Sequence, residues 1–212
     1  MTAWPAPGRW PITLRHDALV LRPLERSDQA RWEQVRGDSR DWLSPWDATP
    51  PPEAVRPRLS FDDWIRDQHA MARAARSLPW ALAWDDGWPD HPARRPTFIG
   101  QVTVSGIAWG SSRSATIGYW IDRHWAGRGL VPLGVAMAAD YCFRTLRLHR
   151  LEIDVLPENT ASHRVVAKLG FTPDGTRRSL MHINGAWRDH DAYVMIADEA
   201  PQSLVDRVLN AG

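Results

Sequence analysis

The first apolar block in the chain is Leu19-Val20-Leu21-Arg22-Pro23-Leu24, which predicts an opening strand. Ser27 or Asp28 then supplies a cap for a helix through Arg36. Asp41 to Pro52 carries prolines at 45, 50, 51 and 52 and predicts an extended loop rather than regular helix. Ser60 opens a second helix running through Trp64, His69 and Met71 to about Arg76, with Asp62 and Asp63 near its positive end. Trp80 to Trp84 alternates like a strand, and the Asp-, Gly-, Pro- and Arg-rich stretch 85–95 reads as a loop. Thr97–Ala108 and Ser114–Ile121 predict a meander turning at Trp109-Gly110-Ser111-Ser112.

After a glycine-containing turn, the pattern predicts a long apolar helix to about Leu146 and a strand from Arg150 to Val155. A short helix from Asn159 to Leu169 follows, stopped by Gly170. Two more strands are expected near Thr176–Ile183 and Asp191–Ala197, then a terminal helix from Gln202 to Leu209. A meander followed by strand, helix, strand, helix means an α/β domain with a mixed sheet and helices on its faces. No repeat or linker divides it. The expected parts are an unpatterned Pro- and Trp-rich arm (1–16), one domain (17–200) and a C-terminal helix (201–212).

Composition narrows the classes further. A chain of 212 residues suits one domain with a sizeable core. A net charge of +1 argues against a nucleic-acid binder that relies on a broad basic field. Lys168 is the only lysine, through arginine-favouring codon usage or through removal of reactive amines from an acylating enzyme. The lone cysteine, Cys142, excludes an internal disulfide and a cysteine-cluster metal site, and its apolar surroundings make it a small buried hydrophobe. The start of the chain lacks the pattern of a secretory signal, and no stretch has the eighteen or so apolar residues of a membrane span. A cytoplasmic protein without a membrane partner is expected.

Two clusters carry candidate chemistry. His124-Trp125-Ala126-Gly127-Arg128-Gly129-Leu130-Val131 lies between a strand end and a helix start. Successive backbone N–H groups in such a turn make an anion nest, reinforced by the helix dipole, while the glycines permit close approach and positive φ. Arg128 adds a charge at the rim. The pattern G-x-x-x-x-G-K-[ST] is absent, and G-x-G-x-x-G fails at Pro132. Pro132 has no N–H to give and biases Val131 away from helix, so positions 127 to 131 must complete the nest and the helix should start near Pro132. The second cluster, Pro157-Glu158-Asn159-Thr160-Ala161-Ser162 running into Leu169-Gly170-Phe171, places Asn159 and Ser162 three apart on one helix face. Its plain alternative is an N-cap asparagine with an incidental serine.

Together these clusters resemble the GNAT superfamily of N-acetyltransferases, from about Leu19 to Ala197. The likeness is strongest to its RimJ/RimL branch, and to the RimJ side of it. Leu43-Ser44-Pro45-Trp46, the Pro-Glu-Asn-x-x-Ser run and Ile183-Asn184-Gly185-Ala186-Trp187-Arg188-Asp189-His190 carry that closer match. The resemblance implies a GNAT-like, mostly antiparallel mixed sheet flanked by helices, with acetyl-CoA as acyl donor. Trp120, Ile121 and Asp122 would pair their backbone with its pantetheine arm. Gly127, Arg128, Gly129, Leu130 and Val131 would hold its pyrophosphate, and Asn159 and Ser162 would face pantetheine and thioester. His124 stands in the first motif slot, where relatives often have Gln or Arg. A tyrosine used as acid by many relatives, seven residues past the asparagine, is replaced by Val166. The acid role passes to Ser162, as in the RimL-like branch.

Attack on a thioester needs a neutral amine, and an α-amine with a pKa of about 7.7–8.0 needs only a modest base. Glu152 and Asp154 share one strand face and are the candidate bases; the alternative is that they pair with Arg147 or Arg150 as a solvated face. No Ser-His-Asp or Cys-His constellation stands out, so direct transfer without a covalent enzyme intermediate is expected. Most of the thirteen tryptophans should pack the core, while Trp42, Trp46 and Trp120 lie on segments near the expected acceptor cleft. His182, Trp187, Asp189 and His190 are further candidates to line it, and no metal is expected. The acceptor would be the α-amino group of an alanine-starting ribosomal protein. The rivals are a small amine or antibiotic, and a non-catalytic acyl-CoA-binding module.

Overall fold

Strands form where the apolar blocks lie, and their pairing decides where a ligand can enter. The computed structural model describes residues 10–54, 59–93, 95–200 and 202–211. Its strands are β1 (Leu14–His16), β2 (Leu19–Pro23), β3 (Leu78–Trp84), β4 (Thr97–Ala108), β5 (Ser114–Ile121), β6 (Arg150–Val155), β7 (Thr172–Ile183) and β8 (Ala186–Ile196). They form one sheet in the order β1-β2-β3-β4-β5-β6-β8-β7. Neighbours are antiparallel except β5 and β6, which run parallel. The helices are α1 (Gln29–Asp38), α2 (Arg40–Leu43), α3 (Phe61–Arg73), α4 (Leu130–Asp140), α5 (Thr160–Leu169) and α6 (Leu204–Asn210). This is the expected α/β domain with a mixed, mostly antiparallel sheet.

The larger core lies between one sheet face and α4, α5 and α6. Ile117 and Ile121 of β5 and Leu151, Ile153 and Val155 of β6 point into it. Gly134 brings α4 close to the sheet, since a Cβ there would lie 2.9 Å from Leu82 Cδ1. The opposite face carries a smaller cluster of Leu24, Val35, Ile65, Ala81 and Phe98, with Trp32, Phe61, Trp64 and Trp120 packed against it. Helices thus cover both faces of β3, which is buried from Leu78 through Ala83 rather than alternating as its sequence suggested.

Several local expectations are corrected. The arm is structure from residue 10 onward: Trp10 is buried and donates to His69 Nδ1 at 2.9 Å, and β1 joins the sheet. Its first nine residues lie outside the described residues. The terminal helix packs on the domain: Asp140 accepts from the Leu204 and Val205 N–H groups, and Leu204 and Val208 are buried. Asp28 makes no side-chain cap for α1; its carboxylate takes both Arg22 guanidinium nitrogens at 2.8 Å. The proline segment starts with a helical turn, α2, and a 3-10 turn at Ser44–Trp46, since Pro45 sits in the first turn, where its missing N–H has no partner to lose. The apolar helix runs as α4 only to Asp140 and continues as a π-helical turn, Tyr141–Thr145. Strands β7 and β8 begin four and five residues earlier than expected, because each recruits polar positions into a two-stranded ribbon.

Candidate functional site

A break in the sheet defines the site. Strands β5 and β6 pair only from Ser114–Thr116 to Arg150–Glu152. Beyond that point β5 stays laddered to β4 up to Ile121, and β6 to β8 up to Val155. From Ile117 and Ile153 onward the facing edges therefore carry backbone donors and acceptors with no ladder between them. An extended arm entering the gap can supply those hydrogen bonds, as an added strand would. Trp120 and Ile121 lie on this free edge. Asp122 does not: its N–H donates to the Ile99 carbonyl at 2.8 Å and its carbonyl accepts from Trp125 at 2.9 Å.

Asp122 instead anchors the turn that follows. Its buried carboxylate accepts from the His124 N–H, the His124 ring, the Ser39 hydroxyl and Arg31. Burial pulls its pKa up, but the His124 N–H and ring together with Ser39 outweigh that and hold the carboxyl below its ordinary range. Gly127 and Gly129 have φ of +77° and +76°, and a Cβ on either would point into open space. Their positive φ turns successive N–H groups of the 127–131 turn outward. Leu133 is the first α4 donor with an intrahelical acceptor, the Gly129 carbonyl at 3.2 Å. The helix starts at Leu130 rather than near Pro132, because Gly129 in the left-handed region serves as N-cap and leaves the Leu130 and Val131 N–H groups at the open helix end. Arg128 braces the turn: its guanidinium donates to the His124 carbonyl at 3.0 Å and lies 4.8 Å above the Trp125 ring. The structure thus fits an anionic pyrophosphate through backbone groups, with the Leu130 side chain buried in the core.

On the core side of the gap, α5 begins with Asn159 as its N-cap, whose Oδ1 accepts from the Ser162 N–H at 3.1 Å. Ser162 lies one turn into the helix. Tyr119 of β5 points to this side, with its hydroxyl buried and making no hydrogen bond among the described residues. Sequence reasoning passed over Tyr119 because a tyrosine among apolar strand residues reads as packing. Cys142 is fully buried, and burial pushes its thiol up, so it remains an inert core group.

On the opposite face, Trp32 and Trp120 both donate to Gln101 Oε1 at 3.1 Å. Arg36 sits 5.1 Å above the Trp120 ring and pairs with Asp47. Glu152 and Asp154 share this face, as their spacing required, but they differ in their partners. Both Glu152 oxygens are engaged, Oε1 by Arg150 at 2.7 Å and Oε2 by Arg177. The expected charge partner Arg150 is therefore present, joined by Arg177 rather than Arg147. The Asp154 side chain is only 4% exposed, and its Oδ1, 3.2 Å from Arg177 Nε, makes no hydrogen bond. Burial pushes its carboxyl above the ordinary range, with Arg177 pulling the other way, Glu152 adding to the rise and His190 opposing it.

The remaining predicted side chains come from distant segments. Antiparallel pairing of Val155 with Asp191 makes the β7–β8 hairpin project past the end of β6, at the same end as Ile121. Its tip holds the proline segment: Ala48 bridges to Ile183, the Thr49 N–H donates to the His182 carbonyl at 2.9 Å, and the Thr49 hydroxyl lies 2.8 Å from His182 Nδ1. Loop and hairpin thus make one wall. Trp42, Trp46 and Trp187 are exposed on it. His182 and His190 are buried, and Asp189 accepts from the Ser179 N–H at 2.7 Å. Among the described residues no group of three His, Cys, Asp or Glu side chains could hold a metal ion, and no helix is long and apolar enough to cross a membrane.

A family profile described as "Acetyltransferase (GNAT) domain" matches residues 18–172. The chain is 38% identical over 191 residues to "Probable N-acetyltransferase YjcK" of Bacillus subtilis, covering 89% of this chain and 99% of that one. It is 28% identical over 184 residues to the "[Ribosomal protein uS5]-alanine N-acetyltransferase" of Escherichia coli, covering 84% and 88%. Mycobacterium smegmatis RimJ, solved in complex with CoA-disulfide, superposes with a TM-score of 0.85 at 34% identity, over 96% of both chains.

Proposed function

The chain belongs to the GNAT acetyltransferase family, on its RimJ-like branch, and is an acetyl-CoA-dependent N-acetyltransferase; from that premise we propose that its acceptor is the N-terminal α-amino group of a protein. An alanine-starting ribosomal protein is the specific acceptor proposed, and the setting is cytoplasmic. The uS5-alanine relative and the likeness to RimJ support this reading.

Bound acetyl-CoA supplies the activated acyl group. In this reading the 127–131 turn and the free edge of Trp120 and Ile121 hold it, with Arg128 bracing the turn and Asn159 and Ser162 flanking the reacting end. Asp154 takes the proton released when the amine adds, a role suited to a raised carboxylate pKa. Ser162 donates its O–H toward the sulfur as charge builds there. Trp42, Trp46 and Trp187 offer flat apolar surface to the first residues of the peptide.

Arginine pairing of four carboxylates at the acceptor end favours a peptide over a polyamine, while Asp189 accepts from the Ser179 N–H. Asp47 pairs with Arg36, Glu152 with Arg150 and Arg177, Asp154 with Arg177, and Glu158 with Arg188. A polycation would need an excess of carboxylate, whereas a single α-amine needs one base. Two peptides test the reading by mass spectrometry: one starting with a free alanine, and the same peptide blocked at its terminus but carrying an internal lysine. The free terminus should be acetylated and the lysine should react poorly. Equal modification of lysine, or a polyamine outcompeting both, would replace this reading by the small-amine one.

A further inference from the structure

Gln101 of β4 is a polar side chain only 7% exposed, and it pairs across the sheet with Trp120, on the face that also carries Asp154. Its carboxamide has one orientation. An indole N–H donates and never accepts, so the atom that faces both Trp32 Nε1 and Trp120 Nε1 at 3.1 Å is the oxygen. The NH2 group therefore points away from both indoles, and it makes no hydrogen bond among the described residues. Buried amide groups are ordinarily satisfied, so two donors fixed in place by two tryptophans call for a ligand that brings an acceptor.

A hollow beside Gln101 gives that ligand its place. Gly118 of β5 pairs with Thr103 and is the diagonal neighbour of Gln101, a spacing of about 7–8 Å that a long side chain reaches across. A Cβ at Gly118 would meet nothing within 4 Å, so the face is open there. On the other side, counting two residues on from the Thr116–Glu152 pair sets Gly118 level with Asp154 of β6. The proposed base and the unmatched donors thus flank one opening, Asp154 from β6 and Gln101 from β4. Two strand spacings, on the order of 10 Å, separate those strands, a width that the first residues of an extended peptide span.

We propose that Gln101 is a specificity-determining residue for the acceptor: its NH2 group donates to a backbone carbonyl oxygen beside the reacting amine, which lies over Gly118 next to Asp154. The proposal rests on the N-terminal reading above and deepens it. Every peptide carries a carbonyl a few bonds from its α-amine. A polyamine carries no carbonyl and leaves the Gln101 N–H groups unmatched. A site built to hydrogen-bond one group rejects the analogue that lacks it. The two indole N–H groups on Oε1 also polarise the amide and strengthen its own N–H groups as donors.

The test compares wild type with Gln101→Glu on two acceptors, the peptide starting with a free alanine and isopropylamine, which keeps the amine and the methyl group but has no carbonyl. Glutamate still accepts from both indoles and replaces the N–H donors by an oxygen. The ratio of kcat/KM for peptide over isopropylamine should fall about tenfold in the variant, the scale of one hydrogen bond, and the difference in amine basicity cancels because both enzymes meet the same two amines. Acetyl-CoA affinity by calorimetry should stay at the wild-type value. Equal losses on both acceptors, no loss on either, or a defect confined to acetyl-CoA affinity would overturn the proposal and leave the N-terminal reading standing. Wild type that leaves the alanine peptide unmodified overturns both. If Gln101→Glu does not fold, or isopropylamine reacts too slowly to measure, product inhibition of wild type decides. N-acetylalaninamide should then inhibit about tenfold more tightly than N-isopropylacetamide, and equal inhibition overturns the proposal.

Discussion

The two ends of the cleft are built by different means. On the proposed cofactor side the groups that would face the ligand are mostly backbone: the free edge of β5, the turn of residues 127–131 and the start of α5. Each comes from one short run of chain, and side chains such as Asp122 and Arg128 serve to hold that backbone in place. On the acceptor side the working groups are side chains brought from far apart. Arg36 meets Asp47, Thr49 meets His182, and Asp154 lies beside Arg177. A backbone nest accepts any pyrophosphate and tolerates sequence change around it. A wall of side chains, by contrast, changes with each substitution, so in the proposed reading this side sets which amine is accepted.

Asp154→Asn should break the comparison most sharply, because it removes the proposed base and leaves both proposed binding surfaces in place. Turnover should fall by about 10²–10⁴-fold, with acetyl-CoA affinity unchanged. The wild-type rate should fall as pH drops through a pKa above the ordinary carboxylate range, since the base works only when ionised. Stability has the opposite sign. Between the ordinary and the raised pKa, the folded protein keeps a proton that the unfolded chain has released, so stability declines as pH rises through that window. Asp154→Asn should flatten that decline and melt no lower than wild type at neutral pH. A variant that melts well below wild type would show that Asp154 is structural.

Gly129→Val probes the backbone side. A β-branched residue at φ +76° incurs left-handed strain of about 1–2 kcal/mol and projects a side chain where the nest opens. Acetyl-CoA affinity by calorimetry should drop about tenfold or more, while the peptide KM stays near wild type. Wild-type affinity in a folded variant would remove the turn from the site.

Thr49→Val is the mildest change and sharpens the acceptor side. It keeps the side-chain shape and deletes the hydroxyl contact with His182. The peptide KM should rise about fivefold, the scale of one hydrogen bond, with the acetyl-CoA KM unchanged. An equal rise in both would show that loop and hairpin support the whole cleft rather than one wall.

Apolar periodicity and glycine placement by themselves indicated the sheet strands from β2 onward, the α5 helix and the position of the 127–131 turn, but not β1, which lay in the expected arm. Those features depend on φ/ψ preferences and hydrogen bonds within about ten residues, which local sequence encodes directly. β6 fell on its expected bounds because Leu151, Ile153 and Val155 alternate with Arg150, Glu152 and Asp154. Which carboxylate could act as base was not legible, because Glu152 and Asp154 have the same local pattern. Arg177, from a strand twenty-odd residues later, engages Glu152 and leaves an Asp154 oxygen without a hydrogen bond. Asp122 looked like a cofactor contact until its partners Ser39 and Arg31 arrived from across the sheet. Only tertiary structure decides such points: burial and the identity of a charge's neighbours are set by which distant segments the fold brings into contact.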